Sequence, residues 1–417
     1  MSLQLIFGGS GSGKSDYVYR SLLEQSKIEK DKTFFVLVPE QFTMQTQREL
    51  VRRQENHSIM NVDVVSFPRL AYRVFDELGM GKLSILEETG KNLLLRRVAE
   101  EQQENLKLLK ASMKKTGYIS EVKSVISELT QYRILPGQLD AFIQDEEQSP
   151  LFRHKIQDIQ TMYQGFLDYL EGKYITAEDL LEVLAQTADR SQILKGSVIV
   201  LDGFTGFTPV QYYLLETLLR LTDEIVVTVT LDERENPYQC QGIQELFYMS
   251  KKTIGTLLSL AERNHIEVKE PYWVRHTKNS RFAASPALLW LERNLFRFRP
   301  KPYLVSPAAQ HREAEKVSLS AETAGNHQDI RFFSLLNPRQ ELHFIGREIK
   351  RLVREEHYRY KDIAIVCGDV ELYGNYANEI FDAYQIPLFL DARKNIVFHP
   401  MTEFIRQSLL LLEQDFS

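Results

Sequence analysis

The sequence predicts an α/β fold: a parallel sheet that carries a phosphate-binding loop, a helical insertion, and a second, smaller α/β unit. A glycine-rich loop stands between an apolar strand and a helix at residues 3–23. Short uncharged strands recur between helical segments, which indicates parallel strands joined by crossover helices. Between them lies a long stretch with helical spacing. We therefore expect a first domain at 1–82 and 175–300, an insertion at 83–174, and the start of a second domain at 330–417.

Composition limits the classes of protein to consider. The 417 residues are 43% hydrophobic and 26% charged, as in ordinary globular chains. No apolar run approaches the roughly 20 residues of a membrane span, and the N-terminus lacks a secretory pattern, so we expect a cytoplasmic protein with no membrane partner. Two cysteines, Cys240 and Cys367, exclude a disulfide framework and an all-cysteine metal site within this chain. The net charge of −6 gives no overall support for nucleic-acid binding, which would need a local basic groove.

Residues 8–15 match the pattern G-x-x-x-x-G-K-[ST] of nucleotide-binding loops. Glycines allow backbone N–H groups to surround a phosphate, and the following helix N-terminus adds partial positive charge. A chance match in a glycine-rich turn is the alternative, but the flanking strand and helix favour a site for ATP and Mg²⁺. The predicted nucleotide-binding residues are Gly8, Gly9, Ser10, Gly11, Ser12, Gly13, Lys14 and Ser15, of which Lys14 would reach the β/γ-phosphates and Ser15 would hold Mg²⁺.

Further strands are predicted from apolar runs on both sides of the insertion. In the first domain they lie at residues 33–38, 61–67, 197–202 and 224–230. Asp202 ends one of them, where a Mg²⁺-holding acid belongs in such folds. In the second unit, strands are predicted at 330–335, 362–367 and 387–390, with an amphipathic helix at 338–356.

Six stretches in this order resemble the AddB family, the non-motor partner subunits of AddAB helicase–nucleases, also called RexB. They are FGGSGSGKS at 7–15, VPEQFT at 38–43, SFPRL at 66–70, DGFTGFT at 202–208, RQEL at 339–342 and YKDIAI at 360–365. The layout is also similar to superfamily 1 helicases of the UvrD/RecB type. The resemblance spans nearly the whole chain and implies a RecA-like P-loop domain followed by a second, incomplete RecA-like domain.

The resemblance also implies partners and cofactors. AddB-type subunits form a heterodimer with an AddA-type helicase–nuclease subunit and act on single-stranded and double-stranded DNA in double-strand break repair. Members of the family are much longer and end in a nuclease domain with an iron–sulfur cluster held by four cysteines. We therefore expect this chain to be an N-terminal fragment, with the cluster only in the missing C-terminal domain and no nuclease chemistry here.

Motor chemistry is expected to be weak or absent. Active helicases of this type place Asp-Glu at the end of the acidic strand, but here the pair is Asp202-Gly203, so the general-base position is empty. Gly368 stands where an arginine usually approaches the γ-phosphate. We assign no catalytic residue. If Glu216 or Arg339 substitutes, the chain is instead an active superfamily 1 helicase; a P-loop kinase-like protein unrelated to DNA is a third possibility.

Loops that follow strands could contact single-stranded DNA. In the AddB family this face is implicated in recognising Chi, a short regulatory sequence. The candidate DNA-binding residues are Gln41, Thr43, Phe67, Arg69, Tyr72, Phe204, Phe207 and Thr208. The alternative is that the phenylalanines belong to the core and that Arg69 is a solvated charge at a helix start. A basic, aromatic cluster at 294–301 is expected to be a solvated edge or a contact to the missing chain; His57, His154, His276 and His399 are expected to be ordinary surface or packing residues.

Overall fold

A computed structural model describes residues 1–54, 56–80, 85–110, 116–145, 148–171, 173–277, 281–282, 285–297, 329–390, 396 and 399–414. The chain divides into two compact units, Met1–Asp329 and Ile330–Ser417. In the described part of the chain, no helix has the length and apolar character needed to cross a membrane.

The first unit is built on a parallel sheet of seven strands, in the order β3-β2-β6-β7-β1-β8, with β9 also pairing β1. Because every pairing is parallel, the carboxyl ends of the strands share one edge of the sheet. A further pair, β4 with β5, forms a separate two-stranded sheet. The strands are β1 Ser2–Gly8, β2 Phe34–Leu37, β3 Val62–Val65, β4 Ile85–Leu86, β5 Ile175–Thr176, β6 Val198–Leu201, β7 Glu224–Thr230, β8 Glu267–Val268 and β9 Tyr272–Trp273.

Helices cover both faces of this sheet, which explains its continuous apolar strands. Successive side chains of β1 enter opposite cores: Leu5 and Phe7 pack on one face, and Ile6 on the other. The helices of the first unit are α1 Lys14–Ile28, α2 Thr43–Arg53, α3 Phe67–Glu77, α4 Glu88–Glu101, α5 Thr116–Gln131, α6 Asp140–Gln144, α7 Pro150–Leu170, α8 Leu180–Thr187, α9 Pro209–Leu219, α10 Tyr248–Arg263 and α11 Pro286–Asn294. Helices α1 and α2 contribute to the core that contains Ile6, and α3, α8, α9 and α10 to the other.

Helix ends follow the local sequence signals. Thr208, Pro209 and Gln211 form a sequence pattern that predicts a capped helix start. The structure confirms it: Thr208 and Gln211 form a reciprocal capping box at the start of α9, with Pro209 in the first turn. The sequence also predicts a long helix over about residues 241–263, but this helix, α10, begins only at Tyr248. The glycine near its predicted start, Gly242, has a φ of 148°, which is outside the helical region.

The predicted helical insertion consists of α4 to α7 in the described residues, with a core of its own. Buried Asp158 accepts backbone N–H groups of Lys107, Leu108 and Leu109 at 2.7–2.8 Å. Lys91 of α4 is 2% exposed and pairs with Glu178, next to α8, at 2.6 Å. These charge-assisted bonds satisfy the buried carboxylate of Asp158 and the buried ammonium group of Lys91.

In the second unit the described residues contain three helices: α12 Pro338–Glu355, α13 Val370–Ala383 and α14 Pro400–Glu413. Leu342 and Ile349 of α12 share a small core with Ile380 and Phe381 of α13. The prediction of strands at 330–335, 362–367 and 387–390 is wrong, because these described segments form no strand. A strand requires a neighbouring strand to which its backbone is hydrogen-bonded. Apolar side chains in these segments also remain exposed to solvent; Phe332, for example, is 93% exposed.

Candidate nucleotide-binding site

The phosphate-loop sequence adopts a conformation that demands glycine at two positions. Gly11 has a φ of 71° and Gly13 a φ of 103°, both in the region that side chains disfavour. Gly13 immediately precedes α1, which begins at Lys14. The unpaired N–H groups of the first helical turn therefore lie at the end of the loop, as in anion-binding helix N-termini.

Lys14 lies along the inside of this loop. Its Nζ donates to the carbonyl oxygens of Gly8 and Gly9, both at 2.9 Å. Burial lowers the pKa of Lys14 from 10.5 to about 8, although the negative charges of Asp202 and Glu292 oppose the shift. The lysine is thus positioned by two neutral carbonyl groups, which a phosphate could replace as acceptors.

A large open pocket of about 1220 Å³ surrounds Lys14. This volume exceeds that of typical small-ligand pockets, so a nucleoside triphosphate has room. Its lining includes the predicted loop residues Ser10, Gly11, Ser12, Gly13, Lys14 and Ser15, the strand-end residues Asp202 and Thr228, and Tyr17, Tyr19 and Phe204. The structure therefore brings together the loop and the acidic residue that were predicted to share one site.

Asp202 follows β6 and is only 5% exposed. Its Oδ2 accepts a hydrogen bond from the Tyr19 hydroxyl at 2.7 Å, and its Oδ1 accepts one from Thr228 Oγ1 at 2.6 Å. The Ser15 hydroxyl also lines the pocket. A hydroxyl and a carboxylate are the oxygen donors that Mg²⁺ prefers, so this donor set fits Mg²⁺.

The residue after Asp202 offers no base. Gly203 lines the same pocket and has no side chain that could take a proton. The alternative Glu216 lies on α9, where it accepts a hydrogen bond from the Asn264 amide at 3.1 Å, and it is not among the described residues that line the pocket. Arg339, the other alternative, belongs to the second unit and pairs with Glu379 at 2.9 Å.

Cationic residues of the pocket were missed by sequence reasoning. Arg275 and Arg281 follow β9 and line the pocket, as does the neutral Thr277. Strands β8 and β9 have two residues each, too short for an apolar-run pattern to reveal. The apolar residues 272–274 followed directly by Arg275 were the available signal.

A carboxylate from α11 supports the loop from outside. Glu292 Oε1 accepts the backbone N–H of Ser10 at 2.9 Å. A Cβ on Gly9 would lie 2.6 Å from the same oxygen, so only glycine permits this approach. His276, expected to be an ordinary surface or packing residue, has a side chain that is only 8% exposed, with its Nε2 3.5 Å from Glu292 Oε2. These residues contact the first half of the loop, and with Gly8 and Gly9 they line a separate, smaller pocket.

Two of the candidate DNA-binding residues are corrected by their burial. Thr43 is 4% exposed, and its hydroxyl donates to the Glu40 carbonyl at 2.9 Å, closing the turn before α2. Phe67 is 3% exposed and belongs to the main core. Neither presents a surface to DNA, so we assign both a structural role. Gln41, Arg69 and Tyr72, in contrast, are exposed.

The aromatic loop after Asp202 packs mainly inward. Phe204 and Phe207 are partly buried, with ring centroids 5.2 Å apart, and they lie 5.4 Å and 6.2 Å from Phe67. Thr208 is used as the cap of α9. This cluster joins α3 to the loop and the start of α9, so core packing explains it better than base stacking.

The basic cluster predicted at 294–301 is partly described. Arg297 pairs with Asp232 at 2.9 Å and with Glu235 at 2.5 Å, and its charge is thereby compensated. Phe296 is exposed. The other members, Phe298, Arg299 and Lys301, lie outside the described residues.

Comparison with known proteins gives one consistent family. The family described as ADDB, N-terminal, matches residues 5–292. The chain is 40% identical over 419 residues to the second subunit (B) of the ATP-dependent helicase/deoxyribonuclease of Lachnoclostridium phytofermentans, covering 100% of this chain and 35% of that relative. It is 31% identical to the protein of the same name from Clostridium kluyveri, covering 100% of this chain and 34% of the relative. The chain therefore spans about a third of the length of these curated relatives.

Proposed function

Because the chain belongs to the AddB N-terminal family, we propose that it is the nucleotide-binding, helicase-like part of the AddB-type subunit of an ATP-dependent helicase/deoxyribonuclease. In this proposal it binds ATP with Mg²⁺ and single-stranded DNA, and it does not act as the main motor. Its first RecA-like domain comprises 1–82 and 175–300, the insertion 83–174, and the start of the second RecA-like domain 330–417. An AddA-type subunit is its partner.

The observation that carries the proposal is the convergence of Lys14, Ser15 and Asp202 on one open pocket of about 1220 Å³. Lys14 and the N-terminus of α1 supply positive charge for phosphate oxygens. Ser15 and Asp202 would hold Mg²⁺, which neutralises phosphate charge when bound. Arg275 and Arg281 add two cationic side chains to the lining.

The glycine that follows Asp202 supports a binding role over a motor role. A water attacking the γ-phosphate needs a group that orients it and accepts its proton. Gly203 offers none, and Glu216 is engaged with Asn264. ATP hydrolysis by this chain is therefore proposed to be slow or absent.

The DNA part of the proposal uses three exposed residues at one edge of the sheet. Gln41 lies in the turn that follows β2, and Arg69 and Tyr72 lie on α3, which follows β3. Strands β2 and β3 are neighbours, so the two segments emerge side by side. An amide, a guanidinium and an aromatic ring offer base-edge hydrogen bonds, phosphate contact and stacking. We propose that they contact single-stranded DNA and, in the complete subunit, contribute to Chi recognition.

Calorimetry of Mg·ATP with the 417-residue chain, followed by a turnover assay with single-stranded DNA, tests this function. We expect binding, loss of binding in Lys14→Ala, and no DNA-stimulated turnover. Lys27→Ala, on the exposed last turn of the same helix, is the matched control and should bind normally. Turnover at motor-like rates would favour the active helicase instead, and absence of binding in the unmodified chain would overturn the nucleotide-binding proposal.

A further inference from the structure

Two hydroxyl groups hold Asp202 inside the proposed nucleotide pocket. Tyr19, on α1, donates to one carboxylate oxygen at 2.7 Å, and Thr228, on β7, donates to the other at 2.6 Å. All three residues line the pocket. A neutral donor on each oxygen offsets part of the negative charge that a carboxylate presents to a cation.

Tyr19 is also fixed in place by its neighbours. Its ring packs in the core beneath α1, together with Val18 and Leu22. The Arg53 guanidinium lies 6.0 Å from the ring centroid and is itself paired with Asp16 at 2.6 Å. The hydroxyl therefore cannot swing away from Asp202 without disturbing the contact between α1 and α2.

We propose that Tyr19 sets the metal requirement of this pocket. By donating to Asp202 it weakens the attraction of the carboxylate for Mg²⁺, so that the chain binds free nucleoside triphosphate nearly as well as the Mg²⁺ complex. Lys14 and the N-terminus of α1 supply the positive charge that the phosphates need in either case. This inference rests on the proposed nucleotide binding. It adds that the pocket accepts the nucleotide both free and as its Mg²⁺ complex.

The test compares ATP affinity in excess Mg²⁺ with ATP affinity in EDTA, by calorimetry on the 417-residue chain. We expect Mg²⁺ to tighten binding less than about threefold in the unmodified chain. In Tyr19→Phe the ratio of the affinity in Mg²⁺ to the affinity in EDTA should be about tenfold larger than in the unmodified chain. A tenfold change is at the low end of what one hydrogen bond to a charged group contributes. A merely structural defect would weaken both affinities equally and leave their ratio unchanged.

Two further variants make the test decisive. Thr228→Val removes the second donor with little change of shape and should raise the ratio in the same direction, even if Tyr19→Phe fails to fold. Tyr163→Phe is the control, because its hydroxyl lies 3.1 Å from Thr130 within the helical insertion, and its ratio should stay unchanged. A large ratio in the unmodified chain that neither pocket variant alters would overturn this inference and leave the proposed function standing. No ATP binding under either condition would overturn both.

Discussion

The desolvated lysine of the phosphate loop predicts a pH-dependent affinity for nucleotide. Lys14 must be charged to bind phosphate, and burial lowers its pKa to about 8 in the free chain. Above this value, binding must first return a proton to the amine. We take the bound lysine to stay charged. The dissociation constant for ATP is then multiplied by one plus the ratio of deprotonated to protonated Lys14 in the free chain. ATP binding should therefore weaken about eightfold between pH 7.5 and pH 9.

Calorimetry or fluorescence titration of ATP across this pH range is the assay, with two variants that separate the causes. Lys14→Arg keeps its charge and should show a flat profile. Glu292→Gln removes a negative charge that raises the lysine pKa, so the loss of affinity should begin at lower pH. An affinity in the unmodified chain that stays within about twofold from pH 7.5 to 9 would refute the reasoning.

The stability of the unliganded chain should respond to pH in the opposite sense. Between about pH 8 and 10.5, the unfolded chain retains a proton that folded Lys14 has lost. The contribution of this residue to the free energy of unfolding therefore increases with pH across that window. Opposite trends in affinity and stability would distinguish lysine titration from general alkaline damage.

Three comparisons between variants test the surrounding structure. Lys91→Ala leaves Glu178 buried without its cation and should lower the free energy of unfolding by about 3–5 kcal/mol in chemical denaturation. Arg97→Ala, which breaks the exposed pair with Glu101, should lower it by less than about 1 kcal/mol. Equal effects of the two substitutions would contradict the burial argument. Gly13 has a φ of 103°, so Gly13→Ala should lower the free energy of unfolding by about 1–3 kcal/mol and abolish ATP binding. Gly117→Ala, within α5, is the control and should keep full ATP binding. Phe67→Ala should lower the free energy of unfolding by about 3–5 kcal/mol, because it removes a buried ring. Arg69→Ala and Tyr72→Ala, at exposed positions, should weaken single-stranded DNA binding in fluorescence anisotropy with little change in melting temperature. Unchanged DNA affinity would remove Arg69 and Tyr72 from the proposed interface.

The elements with strong local signals were predictable from sequence. The loop before α1, the buried strand β2 and the capped start of α9 each combine apolar pattern with a turn or cap residue. Asp202 could be predicted to share the pocket of the glycine-rich loop because it ends an apolar strand. Its partner Tyr19 could not, because a tyrosine on an amphipathic helix reads as core until the geometry shows what its hydroxyl reaches.

Other features depended on contacts between distant segments. Arg275 and Arg281 follow a two-residue strand, and nothing local marks them as pocket residues. Phe67 and Phe204 looked like stacking surfaces because they follow strands, but Phe67 is buried in the core, and Phe204 packs partly against Phe67 and Phe207. Position along the chain determines which edge of the sheet these residues approach, whereas burial depends on how α3 and α9 pack together.

The strand order also sets the width of the nucleotide site. The loop that carries Lys14 follows β1 and Asp202 follows β6, and β7 lies between those two strands. Adjacent strands are spaced about 4.8 Å apart, so the two strand ends are separated by roughly 10 Å. Such a gap can admit phosphate groups between a cationic loop and an acidic strand end without forcing Lys14 and Asp202 into direct contact. Thr228, near the end of the intervening strand, lies in the middle of that gap, so a larger side chain at this position would narrow the space for a bound phosphate chain.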